Sequence, residues 1–402
     1  MFGDASHGHH RGMQGSPLFL TGATGFVGME LLARYLERTD RLVYALVRAR
    51  SDADAQARLE ATVRRVLPDP EPFARRAVAV RGDVMLPGLG MAPRRRAEVA
   101  ERIGEIVHAA ASVSFALPLA ESRAINVAGT ENVLEFARVA ARRGDGIRNV
   151  SYISTAYVAG DHRGAFGEDH LDVDQRFRNA YEQSKFEAEA RVRERCSDLP
   201  IQIFRPSIVV GEADTGWTPA FNVIYGPLKA FARGAYKAIP GRRSAPVDVV
   251  PVSYVADAIL ELSRRDAKSG TTYNLAAGDG ATTVGELLEL SADYFGRRRP
   301  RVVPAGAYRR LVHPLLLRTG DDRRRKALTA SEVFFPYFAM RVRYDTINAR
   351  AALAGTGVAV PPLRDYFDRL MDYAVAADWG RSQPQRHAQD PQPAAVIERA
   401  PA

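Results

Sequence analysis

Tyr181 and Lys185 could act together in acid–base chemistry, because side chains four residues apart lie on the same face of a helix. An ammonium group beside a phenol favours the phenolate. This spacing therefore predicts that the pKa of Tyr181 is lowered from about 10 toward neutrality. Such a phenol can donate a proton to a developing alkoxide or take one from an alcohol. With 15 tyrosines in the chain the spacing also arises by chance, and a solvated helix face is the alternative.

A hydroxyl at the end of a predicted strand could complete this pair. Residues 150–158 are typical of a strand, and Ser154 and Thr155 stand where it ends. In a parallel sheet this carboxyl edge is where ligands bind. The loop and helix start that follow are long enough to bring the Thr155 hydroxyl over the face of Tyr181. A role in capping is the alternative for both hydroxyls.

A glycine-rich turn near the start of the chain predicts a dinucleotide site. An apolar run at residues 17–20 leads into the turn, and a helical pattern follows it. Gly22 permits the tight turn, Gly25 lets the backbone approach a pyrophosphate, and Gly28 lets helix and strand pack closely. The helix N-terminus presents free N–H groups to the anion. The predicted cofactor contacts here are Thr21, Gly22, Thr24, Gly25, Phe26, Val27 and Gly28.

The residue after the second predicted strand, at residues 42–47, indicates which cofactor is used. An acid at this point would bind the ribose 2′-hydroxyl of NAD, whereas this chain has Arg48. A guanidinium matches a 2′-phosphate, so NADPH is the predicted cofactor, and an exposed loop arginine is the alternative. Asp83 follows the third strand and could accept a hydrogen bond from the adenine amino group or form a turn. Val84 beside it is also predicted to contact the cofactor.

Small residues follow the fourth predicted strand, at residues 106–111. Ala109, Ala110 and Ala111 would let the backbone pass close to a flat ligand, with His108 packed beside the cofactor rather than catalytic. Asn126 opens an apolar helical pattern, and we expect its amide to bridge neighbouring loops at the cofactor site.

The amino-acid composition excludes several classes of protein. The chain has 402 residues, of which 46% are apolar and 26% charged, so it can bury a full core. Cys196 is the single cysteine, which excludes an internal disulfide framework and a cysteine-cluster metal site and fits a reducing cytoplasm. No apolar stretch reaches the roughly 18 residues of a membrane span. We predict no metal site, although His7, His9 and His10 stand close together.

The order of these motifs resembles the extended short-chain dehydrogenase/reductase family over residues 17–275. The resemblance implies that Thr155, Tyr181 and Lys185 form a catalytic triad and that Lys185 also holds the cofactor ribose. It implies that the segment Pro206, Ser207 and Ile208 lines the nicotinamide. The segments at residues 45–48, 82–90, 154–158 and 247–258 are similar to the branch of fatty acyl-CoA reductases and thioester reductase domains.

The expected fold is therefore an α/β, Rossmann-type, doubly wound parallel sheet with a smaller, mostly helical C-terminal substrate lobe. We expect a flexible leader at 1–16, the NADP-binding domain at 17–275, the lobe at 276–380 with help from 211–245, and a disordered tail at 381–402. The expected reaction is NADPH-dependent reduction of an acyl thioester to aldehyde or alcohol. Since this length leaves no room for an adenylation or carrier domain, the acyl group would arrive on coenzyme A or a carrier protein.

Two other functions stay open. A nucleotide-sugar epimerase or dehydratase, or a hydroxysteroid-type dehydrogenase, shares the motifs but usually has an acid where Arg48 stands. A noncatalytic dinucleotide-sensing module would not need Thr155, Tyr181 and Lys185 together.

Basic and apolar runs in the C-terminal third suggest partners. The net charge is +9, and basic runs at 297–301 and 323–326 flank an apolar run at 311–317 that Pro314 interrupts. These runs could contact an acyl carrier protein, coenzyme A phosphates or an anionic membrane surface, or be solvated faces. We expect a cytoplasmic protein that could contact a membrane peripherally, that binds a lipophilic carbonyl or thioester, and that binds no nucleic acid.

Overall fold

The computed structural model of the chain describes residues 15–319, 325, 328, 329, 332–382 and 386. Most of the expected leader and tail lies outside these residues, as does the basic run at 323–326 apart from Arg325. None of the helices in the described ranges is long and apolar enough to cross a membrane.

A seven-stranded sheet dominates the fold. Its strands are β1 Leu18–Thr21, β2 Val43–Val47, β3 Ala77–Arg81, β4 Glu105–His108, β5 Asn149–Ile153, β7 Ile201–Pro206 and β12 Thr271–Leu275. Their spatial order is β12-β7-β5-β4-β1-β2-β3, and the neighbouring pairs from β7 to β3 are parallel. The chain builds outward from β1 to β3 and then returns to β4 on the other side of β1. The change of direction between β1 and β4 is the switch point at which such sheets bind ligands.

Helices connect these strands, as parallel strands require. Their bounds are α1 Phe26–Arg38, α2 Asp52–Val66, α3 Pro93–Arg102, α4 Leu119–Arg123, α5 Gly129–Ala141, α6 Ala180–Glu194, α7 Tyr225–Ala232, α8 Val252–Ser263, α9 Val284–Phe295, α10 Ala305–Ala307, α11 His313–Thr319, α12 Ile347–Leu353 and α13 Phe367–Ala376. Every residue of β1, β2, β4 and β5 is buried. Burial on both faces explains why β1 and β2 are short, almost wholly apolar runs without alternation. The α/β, doubly wound parallel sheet predicted from the sequence is confirmed.

Two compact units make up the chain. The first comprises the described residues up to Ser154 together with Ser184–Phe204 and Ala256–Thr272. It has a core of strand and helix residues in which, for example, the Phe19 and Phe136 rings lie 4.8 Å apart. The second comprises Thr155–Gln183, Arg205–Val255 and the described residues from Tyr273 onward. The linear boundary expected at residue 275 remains a prediction about folding units.

The second unit carries its own short strand pairs. Its strands are β6 Arg163–Phe166, β8 Ile208–Val210, β9 Ala238–Pro240, β10 Pro246–Val247, β11 Val249–Pro251, β13 Thr282–Thr283, β14 Arg301–Val303 and β15 Arg341–Tyr344. β8 pairs with β11, β9 with β14 and β6 with β15, all parallel, while β10 and β13 are antiparallel. A 3₁₀ segment at Glu332–Ala339 precedes β15.

Two helices differ from their expected bounds. The helix predicted to open at Asn126 begins at Leu119 and passes through a π-helical turn at Ala124–Ala128 that contains Asn126. Pro314 lies near the start of α11, directly after a π-helical segment at Tyr308–Val312, so the helical backbone changes type just before the proline and continues through it.

Candidate active site

The turn between β1 and α1 has the geometry that its glycines require. Gly22 has a φ of +75°, and a Cβ there would lie 2.6 Å from the Ala110 nitrogen. A Cβ on Gly28 would lie 2.0 Å from the Gly22 oxygen, so no larger residue fits without moving the turn. Gly25 caps α1 without a side-chain hydrogen bond, and no acid stands in the first helical turn. The first N–H groups of α1 therefore suit a phosphate anion, and the residues at this turn fit a dinucleotide.

His108 is a neutral structural group behind this turn. Its Nδ1 lies 2.7 Å from the Thr21 hydroxyl and its Nε2 lies 3.1 Å from the Thr130 hydroxyl. The Thr130 hydroxyl donates to the Asn126 carbonyl, so it accepts from Nε2, and Nδ1 accepts from Thr21. Burial, together with the positive charge of Lys185, lowers the pKa of His108 to about 3. A buried neutral imidazole with both nitrogens in hydrogen bonds does not gain a proton at neutral pH, in agreement with the noncatalytic role predicted for it.

Asn126 joins the loop after β4 to α6. Its Oδ1 accepts the Ser112 N–H at 2.8 Å, and its Nδ2 donates to the Ser112 carbonyl at 3.1 Å and to the Ser184 hydroxyl at 2.9 Å. These bonds fix the backbone just after Ala111, while Ala110 is fixed by its N–H bond to the Thr21 hydroxyl. Both polar atoms of the Asn126 side-chain amide form hydrogen bonds. Asn126 therefore positions this loop, as the sequence predicted.

Arginines collect at the ends of β2 and β3. Arg48 is exposed directly after β2, and its carbonyl accepts a hydrogen bond from the Arg58 guanidinium. Arg81, at the end of β3, donates to Asp52 at 3.1 Å and to the Arg50 carbonyl at 3.3 Å. Sequence reasoning missed Arg81, because only the pairing of β2 with β3 brings it beside Val47. It also missed Arg58, which lies on α2.

Asp83 and Val84 form the exit from β3. One carboxylate oxygen of Asp83 accepts the Met85 N–H at 2.9 Å, which makes Asp83 a turn-forming residue. The Val84 carbonyl accepts from the Asn132 amide at 2.8 Å, and its side chain is buried against Gly129. Contacts with α5 therefore hold this turn in place.

Thr155 and Tyr181 meet in the second unit. Their side chains are hydrogen-bonded, and the Thr155 hydroxyl also lies 3.4 Å from the Pro206 carbonyl and 3.2 Å from the Tyr157 N–H. The neighbouring hydroxyl of Ser154 instead donates to Glu189 at 2.6 Å. Of the two hydroxyls predicted at the end of this strand, the structure therefore brings Thr155 to the phenol.

The pKa of Tyr181 moves in the direction opposite to that expected from its lysine neighbour. Burial raises it to about 12, the hydrogen bond from Thr155 opposes this, and the charge of Glu182 adds to it. Desolvation disfavours the phenolate more than the neighbouring groups favour it. Tyr181 is thus protonated at neutral pH, which is the state that a proton donor requires.

Lys185 lies one helical turn after Tyr181, and its own pKa is lowered. Its ammonium donates to the Tyr152 hydroxyl at 2.9 Å and to the Ile153 carbonyl at 2.8 Å, and it lies over the Tyr152 ring. Burial lowers the pKa of Lys185 to about 7, against a smaller raising effect of Glu189. Tyr152, which no sequence motif singled out, is therefore a direct partner of this ammonium group.

An apolar cavity lies in the second unit. Its wall includes Tyr157 and Ile208, which follow Thr155 and Pro206 by two residues in the chain. Residues of α7, α9, the 3₁₀ segment and β15 line it, among them Phe231, Leu288 and Phe334. This apolar lining suits a lipophilic group.

The segment predicted to line the nicotinamide, which includes Ser207 and Ile208, is held by backbone hydrogen bonds beside the cavity wall. The Ser207 N–H donates to the Leu275 carbonyl, and the Ile208 N–H donates to the Asp248 carbonyl. The Asp248 carboxylate accepts from the N–H groups of Ala277 and Gly278, at 2.8 and 2.9 Å. Burial raises the pKa of Asp248, and these bonds oppose the rise. Asp248 is a structural anchor for the chain after β12.

A glycine turn at the switch point of a seven-stranded, mainly parallel sheet defines a Rossmann-type dinucleotide fold. Tyr181 and Lys185 lie one helical turn apart on α6. The family described as Male sterility protein matches residues 20–259, more than half of the chain, and the chain belongs to this family. The predicted resemblance to fatty acyl-CoA reductases and thioester reductase domains is confirmed.

Three relatives illustrate the similarity. An isonitrile lipopeptide synthase of Streptomyces coeruleorubidus is 31% identical over 386 residues, covering 92% of this chain and 25% of that protein. A fatty acyl-CoA reductase of Drosophila melanogaster is 27% identical, covering 64% of this chain and 56% of that protein. The structure of the terminal R domain from the myxalamid PKS-NRPS pathway superposes with a TM-score of 0.79 at 29% identity, covering 90% and 91% of the two chains. The chain spans about a quarter of the length of the first curated relatives it matches.

Proposed function

We propose that the protein is an NADPH-dependent reductase of acyl thioesters. The observation that carries this proposal is the Thr155–Tyr181 hydroxyl pair. It lies in the same unit as an apolar cavity whose wall includes Tyr157, two residues after Thr155 in the chain. A carbonyl oxygen held between two O–H donors is polarised, and an acyl chain attached to it needs an apolar space. The names of the relatives, which include a fatty acyl-CoA reductase and a carboxylic acid reductase, support the same substrate class.

The roles of the residues follow from their protonation states. The nicotinamide cofactor supplies a hydride to the carbonyl carbon. Tyr181, protonated because of its raised pKa, donates a proton to the carbonyl oxygen, while Thr155 donates a hydrogen bond to it. Lys185 holds the cofactor ribose in this proposal. The hemithioacetal that forms then loses its thiol as the C–S bond breaks, which leaves an aldehyde, and a second hydride would give an alcohol.

NADPH is preferred in this proposal because of Arg48. The guanidinium lies at the end of β2, where the ribose is bound in such sheets, and is exposed. Contacts from Thr21 to Gly28, and from Asp83, Val84, Ala109–Ala111, Asn126 and Pro206–Ile208, complete the proposed cofactor site. A cytoplasmic location, peripheral membrane contact and the absence of nucleic-acid binding stay predictions.

The carrier of the acyl group is proposed to bind at a crevice beside the cavity. The crevice and the cavity share Pro246, Gly278, Ala281, Met340 and Arg343 as lining residues. Arg242 and Arg341 also line the crevice, and neither side chain forms an ion pair among the residues that the structure describes. Coenzyme A and a phosphopantetheinylated carrier protein both bring a phosphate that such arginines would bind.

The test is turnover of a thioester with two products measured at once. Wild-type protein with NADPH and a long-chain acyl-CoA should release free thiol and oxidise NADPH, and the ratio of NADPH to thiol separates aldehyde formation (one) from alcohol formation (two). Tyr181→Phe should lower kcat by about 10²–10⁴-fold, because it removes the proton donor. NADPH oxidation by Tyr181→Phe at the wild-type rate would refute the mechanism. Turnover of nucleotide sugars in place of thioesters would favour the epimerase alternative.

A further inference from the structure

Tyr337, in the 3₁₀ segment before β15, is joined to the first turn of the helix that carries Tyr181. Its hydroxyl accepts a hydrogen bond from the Asn179 amide at 2.7 Å and donates one to the Glu182 carboxylate at 2.7 Å. The side chain is buried. All of these groups belong to the second unit, as Tyr181 does.

The two partners of Tyr337 are the groups that hold this helical turn together. The Asn179 Oδ1 accepts the Glu182 N–H at 3.0 Å, as a helix N-cap does. The Glu182 carboxylate reaches back to the Arg178 N–H at 2.9 Å and also pairs with the Arg178 guanidinium. Tyr181 lies between Asn179 and Glu182, so the position of its phenol depends on this turn.

The ring of Tyr337 also contacts the segment that carries Thr155. The Tyr157 ring lies edge-on to it, with centroids 5.3 Å apart and planes at 88°. Tyr157 in turn donates its N–H to the Thr155 hydroxyl at 3.2 Å. A single side chain therefore contacts the neighbours of both catalytic hydroxyls.

The same ring forms part of the cavity wall. Tyr337 and Tyr157 both line the cavity, and Phe334 and Phe338 from the same 3₁₀ segment line it too. Glu182, by contrast, is a fully buried carboxylate that depends on its donors, because a buried charge without partners is costly. A group that fills the cavity would press on the ring whose hydroxyl satisfies Glu182.

We propose that Tyr337 is a positioning residue that holds the Thr155–Tyr181 pair in register and couples it to an acyl group in the cavity. The inference rests on the proposed function for its choice of substrate. A merely structural tyrosine would affect stability alone, whereas a positioning residue affects kcat at temperatures where the protein is folded.

The experiment compares Tyr337→Phe with Tyr308→Phe. Tyr308 is a buried tyrosine of the same unit that does not line the cavity, and its hydroxyl has no hydrogen-bond partner among the described residues. Tyr337→Phe should lower kcat with a long-chain acyl-CoA by about tenfold with little change in KM, because it removes a hydrogen bond to a buried charge. Tyr308→Phe should leave kcat within about twofold of wild type, since no hydrogen bond is lost.

Amide hydrogen exchange of residues 180–184, measured without substrate, gives an independent readout. Exchange should be faster in Tyr337→Phe and unchanged in Tyr308→Phe. Wild-type kcat in Tyr337→Phe, or equal losses in both variants, would overturn the proposal, as would unchanged exchange. If the wild-type protein reduces no thioester, the proposed function fails, while faster exchange in Tyr337→Phe alone still supports the positioning role.

Discussion

The two units of this protein differ in how far apart in the chain their functional contacts lie. In the first unit the turn from Thr21 to Gly28 is made by one short stretch, and the positive φ of Gly22 and the contact of Gly28 with the Gly22 oxygen are local steric needs. In the second unit the Tyr337 hydroxyl reaches partners 158 and 155 residues away, Asn179 and Glu182. The first kind of site can be recognised from spacing, whereas the second exists only once the chain has folded.

This contrast can be tested by changing groups whose roles follow from local sequence or from burial. The largest expected effect is at Lys185, which lies on the helix that begins in the second unit and ends in the first. Lys185→Met should lower kcat for thioester reduction by about 10²–10⁴-fold. Methionine has no ammonium group that could take the proposed place of Lys185 at the cofactor ribose.

The same variant tests the effect of burial. The pKa of Lys185 is about 7 in the folded protein and 10.5 without the fold, so between these pH values the unfolded chain binds more protons. The free energy of unfolding of the wild type should therefore rise from pH 7 to pH 10, measured by urea denaturation. Lys185→Met should lose this contribution, whereas a change at the exposed Lys237 should not. An identical pH dependence in Lys185→Met and wild type would contradict the assigned burial effect.

The sequence predicted the fold well where strands and turns are local, and it predicted the chemistry at the Thr155–Tyr181 pair less completely. The buried strands and the glycine turn follow from short apolar runs and φ requirements. The direction of the pKa shift of Tyr181 was wrong, because the spacing to Lys185 contains no information about desolvation. The roles of Tyr152 and Tyr337 were missed because neither residue stands in a motif, and their partners come from distant segments.

A smaller effect is expected at Arg48, which tests whether position after a strand is enough to assign a role. Arg48→Ala should raise the KM for NADPH by about tenfold, because an exposed charge-assisted contact is lost, and leave the KM for NADH unchanged. Arg81→Ala is the matched comparison, since the Arg81 guanidinium already binds Asp52 and the Arg50 carbonyl. Equal effects of Arg48→Ala on both cofactors would remove its assignment to the 2′-phosphate.

The smallest effect is expected at the crevice of the second unit, where no motif predicted a site. Strand β15 alternates so that Arg341 and Arg343 are exposed while Val342 and Tyr344 are buried in the cavity wall. Changing Arg242 and Arg341 together to Glu should raise the KM for an acyl-CoA several-fold, on the scale of about 1 kcal/mol for exposed charges.

A thioester of N-acetylcysteamine with the same acyl chain is the control substrate, because it has the thioester and lacks the phosphates. Its KM should not change in the double variant, and added salt should weaken acyl-CoA binding to the wild type more than to the variant. A carrier-protein thioester separates the two sources of phosphate, since a larger effect there than with acyl-CoA assigns the arginines to a protein surface. Equal losses with the N-acetylcysteamine thioester would show that the arginines act through the cavity wall and not through an anion.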